Sequence, residues 1–190
     1  YALGRNFSPE NLISLLRNRL SRPYLKIIPQ VESTETDRQE TDFTAAFNKV
    51  CKEWPQAREK VEEIFSTDKG LSRVKYGKAK IPNWIRKMDY YTESGGSGTV
   101  SFKEFIKFTT SELITSVKKG HSPPGHPFFE MCETLKKNRE ALERLFERKL
   151  IRLKEELFHY AEHELVKRKR KKNVQSFDDF LLKLRRALEN

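Results

Sequence analysis

His159 and His163 stand four residues apart in Phe-His-Tyr-Ala-Glu-His-Glu, a spacing that lets two imidazoles face one way on a helix, as helical zinc sites require. Tyr160 occupies the place where a metallopeptidase helix carries its glutamate, and no third ligand is evident. The pair therefore reads as solvated or hydrogen-bonded histidines, and Glu155, Glu156, Glu162 and Glu164 as intrahelical partners for lysine and arginine. Asp178 and Asp179 are adjacent carboxylates of the kind that bind magnesium or move protons, but acids in the first turn of a helix also complement its dipole. Cys51 and Cys132 have no cysteine or histidine at metal-ligand spacing and read as reduced thiols of an intracellular protein. No phosphate-binding glycine loop and no serine, histidine and aspartate grouping is present, so the sequence offers no catalytic group, metal ligand or cofactor site of its own.

The cations are more informative. The chain of 190 residues carries a formal net charge of +11, and two acid-free stretches hold thirteen of its cations. Residues 69 to 87 contain Lys69, Arg73, Lys75, Lys78, Lys80, Arg86 and Lys87, and residues 167 to 172 are Lys167, Arg168, Lys169, Arg170, Lys171 and Lys172. Charge gathered in this way suits an anionic partner, because a clustered field steers and neutralises phosphates. Tyr76 and Trp84, interleaved with the first group, could stack on bases, although Trp84 also fits a core position. The second group alone fits a nuclear import signal, a helix end or a phosphate contact, since the helix dipole favours cations in a final turn in any case.

These residues must be placed by helices. A hydrophobic content of 36% supports one domain with a real core, and no apolar run approaches the roughly 20 residues that span a bilayer. Ser8 and Pro9 open a helix to about Leu20, and Phe43, Phe47, Val50, Cys51 and Trp54 form a second stripe that resumes past Pro55 at Ala57, Val61, Ile64 and Phe65. Residues 69 to 80 predict a loop, Pro82 opens a short helix, and residues 94 to 98 predict a flexible glycine-serine turn that could be an engineered linker. Ser101 and Glu104 form a capping box for a helix running on to Val117. No glycine or proline occurs in the last 63 residues, so a single helix from Phe128 to Lys172, about 68 Å at ~1.5 Å per residue, is expected before a last helix from Ser176. The absence of any two-residue alternation makes the fold all-α or nearly so.

Four stretches taken in order resemble the RecB branch of superfamily 1 DNA helicases. They are Trp84-Ile85-Arg86-Lys87 behind a basic loop, His126-Pro127-Phe128-Phe129-Glu130 opening the long helix, the basic tract at 167 to 172, and Ser176-Phe177-Asp178-Asp179-Phe180-Leu181. The last is similar to the Phe-Asp-Asp segment upstream of that family's Walker B strand. The pattern departs in the glycine-serine turn and at Gln175 and Ser176. The resemblance implies a helical 1B accessory subdomain over residues 1 to 172, with residues 173 to 190 leading back into a motor domain. That subdomain flanks the DNA path of a bacterial, cytoplasmic helicase and exodeoxyribonuclease of double-strand-break repair and recombination. It also implies that ATP and Mg2+ bind elsewhere in the parent protein, and that RecC- and RecD-like subunits are its partners.

The expectation is a non-catalytic DNA-binding accessory region, with Lys69, Arg73, Lys75, Lys78 and Lys80 on phosphates and Lys167 to Lys172 as a second contact or a basic junction. The alternative is a helical interaction or oligomerisation module that pairs through Leu142, Phe146, Leu153 and Leu157. A return of residues 173 to 190 to a motor domain carries one more expectation, that Phe177, Phe180, Leu181 and Leu184 are left exposed here or are covered by a neighbouring copy.

Overall fold

The computed structural model describes residues 8–20, 36–94, 102–175 and 177–188. Residues 95 to 98 of the predicted glycine-serine turn, the Ser101 half of the capping box and the extended connection after Leu20 lie outside them. Among the described residues six α-helices follow one another: α1 (Pro9–Leu20), α2 (Thr36–Thr67), α3 (Ile81–Glu93), α4 (Thr110–Thr115), α5 (Pro127–Lys172) and α6 (Phe177–Leu188). Short 3-10 turns cover Lys78–Lys80 and Lys103–Phe108. Among the described residues the only β pairing is an isolated antiparallel bridge between Leu71 and Val117, so the fold is all-α.

Two compact units arise, one from residues 34 to 145 and one from residues 1 to 33 with 146 to 190. In the first unit the core is aromatic. Phe65, at the end of the α2 stripe, meets Tyr76 at 5.2 Å, Phe108 at 5.3 Å and Phe129 at 5.6 Å between ring centroids. Trp54, one proline before the stripe resumes, packs on Phe128 at 5.1 Å, and its indole N–H donates to Asp89 at 2.7 Å. Arg58 donates to the same carboxylate, which fastens α2 to α3. Pro55 sits inside α2, which remains one helix from Thr36 to Thr67.

The helix expected from the capping box forms differently. Its residues split into the Lys103–Phe108 turn and α4, separated by an extended Thr109 with φ −98° and ψ 144°. Glu104 accepts from the Lys87 ammonium of α3 at 2.8 Å. Phe105 and Phe108 are both buried, on the one side to which a 3-10 turn brings residues three apart. Glu133 of α5 accepts from the backbone N–H of Ser111 at 3.0 Å, satisfying one of the free donors at the start of α4.

In the second unit, α1 starts as its sequence directs: Ser8 Oγ accepts from the Asn11 N–H at 3.2 Å, an N-cap bond. The buried positions of α5, Phe128, Phe129, Cys132, Leu135, Leu142 and Leu145, all fall in its first part, which belongs to the unit of residues 34 to 145.

Replacing Phe65 with alanine is expected to destabilise the unit of residues 34 to 145 by about 3–5 kcal/mol, measured by denaturant unfolding, because three ring contacts are lost at once. Acid should act on the same unit. The Lys87 hydrogen bond holds Glu104 below its ordinary value of 4.5, and Lys107 does so for Glu112 against the opposing effect of burial. A carboxylate whose folded pKa is depressed contributes stability above the unfolded value and loses it as pH falls through the folded one. The unfolding midpoint should therefore drop below pH 4.5, and Glu104→Gln should flatten that drop.

Candidate nucleic-acid interface

The basic loop after α2 is held by its own backbone and by one arginine. Asp68 accepts from the N–H groups of Gly70 and Leu71 at 2.8 and 2.9 Å, turning the chain away from the helix. Arg73 then reaches back: its guanidinium donates to the carbonyls of Phe65 at 2.6 Å, Ser66 at 3.1 Å and Asp68. The last carbonyls of a helix lack intrahelical donors and lie at the negative end of its dipole. No cation stands in the last turn of α2, so Arg73 supplies that charge from outside the helix. This arginine, expected on phosphate, instead closes the C-terminus of α2 and is half-buried.

The two aromatic residues expected to stack are in the core. Tyr76 is 0% and Trp84 4% exposed; the rings meet edge-on at 5.6 Å, and the Tyr76 hydroxyl donates to the Lys107 carbonyl at 2.8 Å. Burial pushes the Tyr76 phenol well above its ordinary range. Neither ring offers a free face to a base.

The lysines face outward. Lys69, Lys75, Lys78 and Lys80 are all exposed. The bridge between Leu71 and Val117 then adds residues from a different part of the chain. Ser72 N–H donates to the Ser116 carbonyl at 2.9 Å, Lys118 N–H to the Gly70 carbonyl at 2.8 Å, and the Lys118 ammonium to the Lys69 carbonyl at 2.9 Å. Gly70 lies so close to His121 that a Cβ there would stand 3.0 Å from the histidine's own, which ties the two segments without room for a side chain. The bridge thus brings Lys118, Lys119 and His121, all exposed, beside Lys69, and the Lys75 ammonium reaches the same segment by donating to the Thr115 carbonyl at 3.0 Å. The sequence reading passed over them. The signal was present in Lys-Lys-Gly-His, two cations at a turn whose Gly120 has φ 82°, but the bridge that brings this turn to Lys69 is a long-range pairing.

The second basic group is the final turn of α5. Asn173 adopts φ 49°, its N–H donates to the Arg170 carbonyl at 3.2 Å, and Val174 N–H donates to the Lys169 carbonyl at 3.0 Å. That pair of bonds is a Schellman motif, with asparagine in the left-handed position glycine usually takes. Arg168 pairs with Glu164 at 2.8 Å, and Lys169 with Asp179 of α6 at 2.6 Å. Lys167, Arg170, Lys171 and Lys172 are exposed around the helix end. The pairing with Lys169 gives Asp179 a structural role, and no group of three possible metal ligands occurs among the described residues. His159 and His163 are both exposed on α5. Beyond the Asn173 turn, Phe177, Phe180, Leu181 and Leu184 of α6 stand exposed, at 75%, 60%, 45% and 50%.

These geometries separate two kinds of cation by experiment. Arg73→Ala should lower stability by about 2–3 kcal/mol in denaturant unfolding, through loss of charge-assisted bonds to helix-end carbonyls. Lys119→Ala should leave the unfolding midpoint within about 0.5 kcal/mol of the parent, as expected for an exposed side chain.

No family model matches the chain. The RecB subunit of the RecBCD enzyme from Escherichia coli K12 is 24% identical over 169 residues, which is 88% of this chain and 14% of that protein. The chain thus spans a small part of the relative it matches, and it is similar to a region of RecB.

Proposed function

We propose that this chain is a DNA-binding accessory region of a RecB-type ATP-dependent helicase and exodeoxyribonuclease, itself non-catalytic, acting in double-strand-break repair and recombination. The observation that carries the reading is the joining of Lys69 and Lys75 to the segment of Lys118 and Lys119 at the Leu71–Val117 bridge, with Lys78 and Lys80 exposed further along the same loop, in a chain similar to RecB. Their ammonium groups would meet phosphates, which position a protein on nucleic acid without reading its sequence. With Tyr76 and Trp84 buried, this surface has no stacking platform for unpaired bases, so its ligand would be the backbone of a duplex. ATP and Mg2+ would be bound by other parts of the parent protein, and RecC- and RecD-like subunits would be partners of that parent. Lys167, Arg170, Lys171 and Lys172 would form a separate phosphate contact.

The interaction-module reading fits less well in the form the sequence suggested. Leu142 is buried in the core of the first unit, whereas Leu153 is exposed, so Leu142, Phe146, Leu153 and Leu157 do not make one open face.

Salt-titrated binding to duplex DNA tests the proposal. Six neutralised phosphates give a slope of log K against log salt of about −5, from −0.9 per contact on B-DNA. Reversing Lys118 and Lys119 to glutamate should bring the slope to about −3.5 and weaken all sequences alike. A slope near zero, or one unmoved by that double reversal, contradicts the reading.

A further inference from the structure

Of the two adjacent tyrosines of α3, only Tyr91 enters the core. It is 5% exposed and meets Phe47 edge-on at 5.3 Å, whereas Tyr90 is 75% exposed. The difference follows from helical geometry. Ile81, Trp84, Ile85, Met88 and Tyr91 form the buried stripe of α3, and steps of three and four residues place Asn83, Arg86 and Tyr90 together on the opposite side. All three are exposed, and Lys78 and Lys80, also exposed, stand in the turn that runs directly into the helix. Of the two acids of α3, Asp89 is taken by Trp54 and Arg58, and Glu93 stands at the last residue. The outer face is therefore cationic where it begins and carries an open aromatic ring in its second half.

We propose that this face binds single-stranded DNA, with Lys78, Lys80 and Arg86 on phosphates and a base stacked on Tyr90. The inference rests on the reading of the chain as DNA-binding and adds to it a site for an unpaired base, which the lysines at the Leu71–Val117 bridge lack. The spacing of ring and cations selects the ligand. Arg86 and Tyr90 are four residues apart, about 6 Å at ~1.5 Å per residue, so a cation and a ring lie side by side as a phosphate and its base do along a strand. An apolar partner would gain nothing from the cations, and a duplex backbone would gain nothing from the ring.

The ring also stands on an anchored helix. Asp89 ties α3 to α2, and Lys87 pairs with Glu104 at 2.8 Å. The Arg86 guanidinium donates to the Asn83 side chain at 2.8 Å, which orients it along the face and leaves further N–H groups for a phosphate. A ring presented in this way loses little freedom when a base stacks on it. Stacking accepts every base, so the contact carries no sequence preference.

Fluorescence anisotropy of a labelled oligothymidine of about fifteen nucleotides tests the site, beside an abasic strand of the same length that keeps the phosphates and lacks the bases. The chain should bind the oligothymidine more tightly than the abasic strand. Tyr90→Ala should weaken oligothymidine binding about five- to a hundredfold and leave the abasic strand unchanged, whereas Tyr90→Phe should keep the parent's preference. Because Tyr90 is exposed, both variants should keep the parent's unfolding midpoint. Arg86→Ala should weaken both strands and reduce the salt slope by about 0.7, the value of one contact on a single strand. Equal affinity for the two strands, or oligothymidine binding indifferent to Tyr90→Ala, would overturn the proposal. The lysine surface is judged separately. A duplex released by reversal of Lys118 and Lys119, with oligothymidine unbound, overturns the α3 site alone, and Tyr90-dependent binding of oligothymidine without binding of duplex overturns the lysine surface alone.

Discussion

The Arg73 guanidinium lies across the carbonyls of Phe65, Ser66 and Asp68, and through it the loop is bonded back to the end of α2. The charge-assisted bonds neutralise the negative end of a helix that has no cation in its own last turn. They also hold the loop backbone where Ser72 and Gly70 meet Ser116 and Lys118. Without that clamp the Leu71–Val117 bridge would be a lone pair of strand-like residues, and the two groups of lysines would have no common frame. Positive charge thus appears here in two capacities, one arginine turned inward to build the surface and several lysines turned outward on it.

The same economy of polar contacts runs through the aromatic core beneath. Phe65 is both the ring at the centre of the cluster and the residue whose carbonyl takes the closest Arg73 contact to the α2 end, so side-chain packing and helix termination meet at one residue. Tyr76 completes the link: its ring packs on Phe65, while its hydroxyl is bonded to Lys107. Loop and core are therefore stabilised together, and the proposed duplex contact would sit on a surface that need not fold on binding.

Much of this was legible in the sequence because it rests on short-range periodicity. The α1 cap at Ser8, the α2 stripe from Phe43 to Phe65, the Pro82 start of α3 and the uninterrupted α5 all follow from residues within a few positions of one another. What the sequence hid was long-range. Arg73 and Lys75 look alike in a basic run, and only the fold separates the half-buried arginine that closes α2 from the exposed lysine, whose ammonium donates to the Thr115 carbonyl at 3.0 Å. Lys118 and Lys119 belong to the surface through a bridge that no local pattern encodes. Glu104 reads locally as half of a capping box, and only the fold sets Lys87 of α3 beside it. Tyr76 and Trp84 sit among cations in the sequence and among phenylalanines in the fold, because a loop anchored at both ends can turn its aromatic residues in and its lysines out.

The central claim is that the lysines gathered across the Leu71–Val117 bridge form a single phosphate-binding surface. Hydrogen-exchange mass spectrometry of the chain with and without a mixed-sequence duplex addresses it most directly. The account predicts added protection in residues 69 to 80 and 117 to 121 together, with the exposed face of α2 unchanged and a single strand giving less protection than the duplex. Protection confined to residues 167 to 172, or none in either of the two bridged segments under conditions where duplex binds, would contradict it.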